Sequence, residues 1–257
     1  MSNPRQWLDE RIGEMRIALL TLTRLPLASV GEPPPTLAAS SWAFGLVGGI
    51  VGGASALGFG VAVAANLPVV LAGLVAIAIG IVVTGAMHED GLADLADGFG
   101  GGHDPERKLA IMRDSQVGSY GVLALILAIA LRALCIGAIE QPMVVVCAMI
   151  AIAVASRSAM VVVLYAMPAA RGDGLGRLAV GVGGAQVTVA LASALGIGCV
   201  LVAVPVWLAC LVAMGIAGVG LSWLALRQIG GQTGDVLGAA QQVTEIAGWI
   251  AIVSWTV

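Results

Sequence analysis

Residues 68–98 read PVVLAGLVAIAIGIVVTGAM followed at once by HEDGLADLADG. The first part is almost wholly apolar and is long enough for a helix to cross the roughly 30 Å hydrocarbon core of a bilayer. The second part contains four carboxylates, at Glu89, Asp90, Asp94 and Asp97. An apolar run that leads into concentrated acid predicts a membrane-spanning helix that places a charged segment at the boundary of the bilayer.

The acidic segment has a spacing that suits a cation site. If it is helical, Asp90, Asp94 and Asp97 lie at i, i+4 and i+7 and share one face, with Glu89 at the margin. These charges repel one another unless something neutralises them, and carboxylate-rich sites favour hard ions such as Mg²⁺ over Zn²⁺. A solvated acidic helix start, stabilised by the helix dipole, is the structural alternative. The glycines within the segment, which let backbone approach a ligand, favour the metal site.

The composition places the whole chain in the membrane. Hydrophobic residues make up 59% of it, charged residues only 11%, and the mean hydropathy is +1.01, whereas charged residues supply about a quarter of a soluble domain. No basic stripe of the kind that binds nucleic acid is present. The four cysteines lie singly within apolar runs, which indicates small core residues rather than disulfides or zinc ligands. The charged amino terminus lacks a cleavable signal pattern, so we expect it to be retained.

Several further runs are long enough to span a bilayer. The apolar runs cover residues 41–65, 68–87, 118–139, 142–166, 186–204 and 205–226, and a shorter one covers 246–257. We therefore predict an all-α polytopic bundle of about six or seven transmembrane helices, forming a single membrane domain over 1–257. Prolines break three of the junctions with almost no polar residues, which predicts tight helical hairpins there.

The distribution of Lys and Arg predicts the orientation. The basic residues lie in the amino-terminal segment 1–36, in the acidic motif loop 88–117, and in segments 167–185 and 227–244. The tight hairpins contain none, so the positive-inside rule puts the amino terminus and all four polar segments in the cytoplasm. One cytoplasmic site can then be assembled from all of them. We expect the 88–117 loop to be ordered.

Two arginines lie within predicted spans, where an unpaired charge costs several kcal/mol. Arg132 is expected to reach outward to the far side or to pair with Glu140. Arg157 lies nearer the cytoplasmic end and is the better candidate for binding an anion.

Motifs of several enzyme classes are missing. His88-Glu89 lacks the second histidine of a zinc protease because position 92 is Leu92. The chain contains neither a Gly-x-Ser-x-Gly elbow nor a P-loop. A membrane enzyme that uses metal-bound carboxylates on a polyphosphate substrate fits best. The alternative is an ion-coupled membrane transporter with the acidic cluster as its cation site, although its acids would be expected nearer the midplane.

Five blocks of sequence, in one order along nearly the whole chain, resemble the cobalamin synthase family. They are Leu22–Pro26, Glu89–Gly98, Met112–Ser115 with Gly118 and Gly121, Ser156-Arg157 with Tyr165 and 170–172, and Thr233–Ala239 with Glu245. The sequence departs from the family in its short last apolar run and in lacking an aromatic residue beside Pro168. Neither departure touches the acidic motif.

The resemblance implies a late step of vitamin B12 assembly. A ribose hydroxyl of α-ribazole, or of its 5'-phosphate, attacks the cobinamide-side phosphorus of adenosylcobinamide-GDP and GMP leaves, in a Mg²⁺-dependent reaction. The implied partners are these two substrates and the lipid bilayer, without nucleic acid, and the implied location is the cell membrane of a prokaryote. The oligomeric state stays open, a homo-oligomer included.

The resemblance also implies roles for particular residues. The metal ligands, or residues adjacent to them, would be Glu89, Asp90, Asp94 and Asp97; the phosphate-binding arginines would be Arg24, Arg113, Arg157 and Arg171. Asp94, Asp97, Asp114 and Arg157 would take part in catalysis.

Three of the acids have open roles. Asp114 would complete the site or act as base, but it is an equally good cap for the third span. Asp235 and Glu245 would serve a second metal or hold the ribazole, with helix capping the alternative for Asp235.

Overall fold

The computed structural model describes residues 4–26 and 33–256, and within these ranges the regular structure is helical apart from one isolated β-bridge. The helices, in chain order, are α1 Pro4–Leu22, α2 Leu37–Ser40, α3 Phe44–Ala64, α4 Val69–Thr84, α5 Met87–Gly101, α6 Pro105–Ile111, α7 Ser119–Ala138, α8 Pro142–Ala166, α9 Gly174–Leu178, α10 Gly184–Leu201, α11 Val204–Ile229 and α12 Gly234–Thr256. A short 3₁₀ turn, Ser41–Ala43, joins α2 to α3.

Six helical stretches among the described residues are long and apolar enough to cross a membrane: α2 to α3 taken together, α7, α8, α10, α11 and α12. Helices α4 and α5, bent by 90° at their junction, form a seventh candidate when taken together. The prediction of an all-α membrane bundle with six or seven spans is confirmed. On its own, α5 is not a candidate span.

The break between α4 and α5 depends on two residues with left-handed backbone. Gly85 has φ +66° and Ala86 has φ +61°, a conformation that ends a helix and costs little at glycine. The amide of Arg24 donates to the carbonyl of Val83 over 2.7 Å, and the Arg24 side chain covers Gly85 so closely that an added Cβ would collide with it. The acidic helix therefore leaves the span sharply.

Helix α8 lies at the centre of the bundle, since 72% of an apolar 18-residue stretch within it is buried. It packs closely on α3, where glycines allow the two backbones to approach: a Cβ on Gly52 would lie 2.8 Å from the Met149 carbonyl oxygen. Small residues at a helix interface commonly permit such contact in membranes. On its other sides α8 contacts α10 and α12.

Two sequence-based boundaries were wrong. The 88–117 segment, expected as an ordered loop, consists largely of α5 and α6. The last span begins at Gly234 rather than at residue 246, so most of the predicted loop 227–244 is helical. Gln241 and Gln242 are 1% and 2% exposed. These polar side chains face the bundle interior, which is why hydropathy alone missed the first half of α12.

The polar connections meet at one end of the bundle. Gln232, between α11 and α12, pairs through its backbone with residues 168–170. Its backbone amide donates to the Pro168 carbonyl over 2.8 Å, and the Ala170 amide donates to the Gln232 backbone carbonyl over 2.9 Å. Lys108 of α6 bonds Gln228 at the end of α11. Of the amino-terminal segment 1–36, residues 1–3 and 27–32 lie outside the described ranges. The cytoplasmic location of this end stays a prediction.

Candidate functional site

Helix α5 carries its acids in two different environments. His88 and Glu89, in its first turn, are buried, with 1% and 8% exposure. Asp90 is exposed and Asp94 is half-buried, both toward the end of the bundle where the polar connections meet. The acidic segment is helical, which is the condition that the cation-site interpretation required. The sequence neighbours Glu89 and Asp90 project into different surroundings.

Glu89 belongs to an ionic network inside the bundle. Its Oε1 lies 3.4 Å from Arg132 Nη2 and accepts a hydrogen bond from Gln242 Nε2 over 3.0 Å. Arg132 Nη1 also lies 3.4 Å from Glu245 Oε1, and Gln241 donates to the other oxygen of Glu245. The expectation that Arg132 reaches outward or pairs with Glu140 was wrong. Its partners come from α5 and α12, so the network joins these two helices to α7.

Arg157 lines a cavity next to this network. Its Nη1 donates to the Ala153 carbonyl over 3.2 Å, while its buried Nε has no hydrogen-bond partner among the described residues. Both ring nitrogens of His88 are buried there without a partner as well. The cavity measures about 50 Å³, which suits a few water molecules and is too small for a nucleotide. The structure thus places Arg157 and Glu245 in the interior, apart from Asp90 and Asp94.

Asp97 ties the acidic helix to the start of α7. Its carboxylate accepts hydrogen bonds from the amides of Gly118, over 2.7 Å, and Gly121, over 2.9 Å. A Cβ at either glycine would collide with the carboxylate. The absence of side chains at 118 and 121 therefore allows Asp97 to satisfy two amides at a helix start, which holds α5 against the start of α7.

Asp94 lies among other carboxylates. Burial, followed by the charges of Asp90, Asp235 and Asp97, raises the pKa of the Asp94 carboxyl from 3.8 to about 7, against an opposing effect of Arg171. Because the ionised form of this carboxyl is disfavoured, a cation bound beside it would stabilise that form.

Asp90, Asp94 and the neighbouring Asp235 form what we call the acidic surface, and Arg171 contacts it from the α8–α10 connection. Its Nη2 donates to Asp235 Oδ2 over 3.0 Å, and its Nε lies 3.8 Å from Asp173. Asp173 also binds Arg113 Nη2 over 2.6 Å. The cap of α12 is Thr233, whose Oγ1 accepts from the Val236 amide over 3.2 Å. Asp235 therefore faces Arg171 rather than capping the helix.

Two predicted residues lie further out. Asp114 is exposed, and its carboxylate accepts a hydrogen bond from the Gln116 amide over 3.1 Å. The residue that precedes α7 is Gly118, so the capping alternative for Asp114 was wrong. Arg24 is exposed beside the α4–α5 break.

The donor chemistry of this surface fits a hard divalent cation. Among the described residues no three Asp, Glu, His or Cys side chains are arranged to hold one metal ion. Mg²⁺, however, usually keeps several waters and takes one or two carboxylates together with substrate phosphates. Burial and the neighbouring charges of Asp90, Asp235 and Asp97 both raise the pKa of Asp94, so a cation bound there would favour its ionised form.

An open cleft adjoins the acidic surface. It lies between residues 164–172 and 177–182, measures about 740 Å³ and has Arg171 and Arg177 in its lining. We call it the arginine cleft. Arg177 was not predicted as a site residue from the sequence. The one sequence signal for it is its position within the basic segment 167–185. His88, Gln241 and Gln242 were missed as well, because nothing in the sequence shows that they share a cavity.

Comparison with known proteins agrees with these features. Residues 14–253 match the cobalamin-5-phosphate synthase family. The chain is 43% identical to the adenosylcobinamide-GDP ribazoletransferase of Bradyrhizobium diazoefficiens, over 91% of each chain. It is 39% identical to that of Mesorhizobium japonicum, over 95% of this chain and 93% of the other, and 41% identical to that of Azorhizobium caulinodans, over 92% and 93%. No solved structure matches it.

Proposed function

We propose a reaction for this chain on the premise that it belongs to the cobalamin-5-phosphate synthase family: it joins α-ribazole, or its 5'-phosphate, to adenosylcobinamide-GDP and releases GMP. The observation that carries the proposal is the acidic surface of α5 beside the arginine cleft, because phosphoryl transfer depends mainly on positioning and on neutralising phosphate charge.

The arginine cleft receives the diphosphate of adenosylcobinamide-GDP. Arg171 and Arg177 both line it, and guanidinium groups bind phosphate oxygens through paired donors. Arg171 is held by Asp235 and Asp173, so its position is set before the substrate arrives. Arg113 and Arg24 lie at the same end and add positive charge.

Asp90 and Asp94, with Asp235 nearby, would hold the Mg²⁺ that we propose as the cofactor. When bound, it would neutralise charge on the diphosphate and favour departure of GMP. Glu89 and Asp97, also predicted as ligands, are engaged elsewhere: Glu89 with Arg132 and Gln242, and Asp97 with the amides of α7. We therefore assign both to positioning α5.

The reaction balances without a further reagent. A ribose oxygen of ribazole forms a bond to the cobinamide-side phosphorus, and the bond from that phosphorus to the oxygen of GMP breaks. The hydroxyl proton passes to a carboxylate of the acidic surface. The transfer takes place at the cytoplasmic face of the cell membrane, which is the side that the positive-inside rule gives to the polar connections.

Release of GMP by purified protein in detergent tests the proposal. Wild-type protein with both substrates and Mg²⁺ should release GMP, and Asp94→Asn should lower the rate by about a hundredfold or more by removing charge at the reacting phosphate. The matched control is Asp104→Asn, at the cap of α6, where asparagine caps equally well. An ion-coupled transporter would give no GMP in this assay. Wild-type turnover by Asp94→Asn would refute the site.

A further inference from the structure

A second pocket, smaller than the arginine cleft, has Asp235 in its lining, and Asp235 binds Arg171 of the cleft. The pocket measures about 180 Å³ and lies where α1, α3, α5, α8 and α12 meet. Most of its wall is apolar, formed by Leu22, Phe44, Met87, Met160, Leu164 and Leu237. We call it the apolar pocket. Among its lining residues, only Asp90 and Asp235 have a role in the proposed reaction, and its apolar wall has none.

The polar groups of the apolar pocket lie where it meets the acidic surface. Asp90 and Asp235 are both part of its lining, and Leu164 is shared with the arginine cleft. A ligand in this pocket would thus have an apolar end enclosed by side chains and a polar end at Asp90 and Asp235, close to the substrate phosphates.

Size and charge decide which substrate can enter. A corrin ring is several times larger than the pocket, and a guanine base would bury its many polar edges against methionine and leucine without partners, which is costly. A diphosphate has no apolar part, so it would gain nothing from the apolar wall and would lose its hydration there. The dimethylbenzimidazole base of ribazole is flat, compact and apolar, and its attached ribose carries the hydroxyls that a carboxylate can bind.

We propose that the apolar pocket binds the base of ribazole and directs its ribose hydroxyls to Asp90 and Asp235. This assignment rests on the proposed function. It gives the two substrates separate sites, the nucleotide-linked phosphates in the arginine cleft and the base in the apolar pocket, and the Arg171–Asp235 ion pair connects the two. The two methyl groups of the base would be the part read by the apolar wall.

Binding of α-ribazole alone, measured by calorimetry on the detergent-solubilised protein, tests this. Each buried methyl is worth about 0.8 kcal/mol, so benzimidazole riboside, which lacks both methyl groups, should bind roughly tenfold more weakly than α-ribazole. Equal affinity for the two nucleosides would overturn the assignment.

A space-filling variant locates the effect. Ala179 is fully buried and lines the apolar pocket, so Ala179→Leu should weaken α-ribazole binding at least about tenfold and leave binding of adenosylcobinamide-GDP unchanged. Ala159→Leu is the matched control, because Ala159 lines a separate apolar groove between α8 and α11. Unchanged ribazole affinity in a folded Ala179→Leu protein would contradict the proposal.

A second variant covers the case in which Ala179→Leu fails to fold. Leu37 lines the pocket and is only partly buried, so Leu37→Ala should fold and should reduce the roughly tenfold preference for the methylated nucleoside. An unreduced preference would count against the pocket. Failure of the proposed function would look different, because wild-type protein would then neither bind α-ribazole nor release GMP. If the protein releases GMP but both variants bind the nucleosides as wild type does, only the assignment of the pocket is refuted.

Discussion

Glu89 and Asp90 are adjacent carboxylates with opposite surroundings, and their substitution should have opposite effects. Glu89 is buried against Arg132 and Gln242. Removing one partner of a buried ion pair leaves an uncompensated charge. Because Arg132 keeps Glu245, we expect Glu89→Gln to cost about 2 kcal/mol and to lower Tm by several degrees.

Asp90→Asn is the matched comparison for Glu89→Gln. Asp90 is exposed, so its neutralisation should leave Tm near that of wild type and strongly reduce GMP release. Thermal unfolding in detergent and the GMP assay, run on both variants, separate the two roles. A Glu89→Gln protein with normal Tm and no activity would instead make Glu89 a metal ligand.

Arg157 is expected to be structural. The family resemblance gives it a phosphate-binding role, but it is 3% exposed and lines a cavity of about 50 Å³. Arg157→Lys keeps the charge in the network and should retain near-normal GMP release. Arg157→Ala leaves a void beside Glu89 and Glu245 and should lower Tm by several degrees. Strongly reduced turnover in a stable Arg157→Lys protein would show that the planar guanidinium contacts substrate after all.

At the scale of the element, α5 should respond to Mg²⁺ in a pH-dependent way. Burial and the charge of Asp90 raise the pKa of Asp94 from 3.8 to about 7. The unfolded chain thus loses this proton near pH 4 and the folded protein only near pH 7, so this group lowers stability progressively as pH rises through that window. Metal binding needs the charged form. Mg²⁺ should therefore raise Tm more at pH 8 than at pH 6.

The control for this titration is Asp94→Asn, in which the Tm shift caused by Mg²⁺ should be small and nearly independent of pH between 6 and 8. Wild-type protein that gains the same Tm increment from Mg²⁺ at both pH values would exclude Asp94 as the group that couples metal binding to pH.

The sequence was informative about the acidic face of α5, although not about the helix boundaries, and was less informative about α12, for a physical reason. The i, i+4, i+7 spacing correctly placed Asp90, Asp94 and Asp97 on one helix, because that pattern is local. The partner of Glu89 is not local: it is Arg132, 43 positions away along the chain. In α12 the buried Gln241 and Gln242 lower the hydropathy of a helix that is long enough to span the membrane. Their hydrogen-bond partners include groups on other helices, and the sequence alone does not show those contacts.

The site was predictable in the same uneven way. The acidic motif and Arg171 could be found from their residue types and blocks of resemblance. Sequence reasoning could not show that Glu89, Arg157 and Glu245 lie apart from Asp90 and Asp94. Their separation follows from the 90° bend between α4 and α5. That bend turns one edge of α5 into the bundle and the other toward the arginine cleft.

On the scale of the whole molecule, the orientation in the membrane follows from the alternation of spans. Short connections join α3 to α4, α7 to α8 and α10 to α11 at one end, and the polar segments gather at the other. Lys and Arg are concentrated in the polar segments, which predicts that this end is cytoplasmic. All parts of the candidate site would then face one compartment, with both substrates available there.

Single cysteines in a background without the four native ones test this orientation in intact cells. Cysteines replacing Glu10, His103, Gly174 or Arg227, all exposed at the polar end, should be protected from a membrane-impermeant thiol reagent until the cells are opened. Cysteines at Asn66 and Gln141, exposed in the short connections, should react from outside. Because the site draws on every polar segment, outside labelling at even one of the first four positions would mean that the segments do not share a compartment, and a single cytoplasmic site could not be assembled from them.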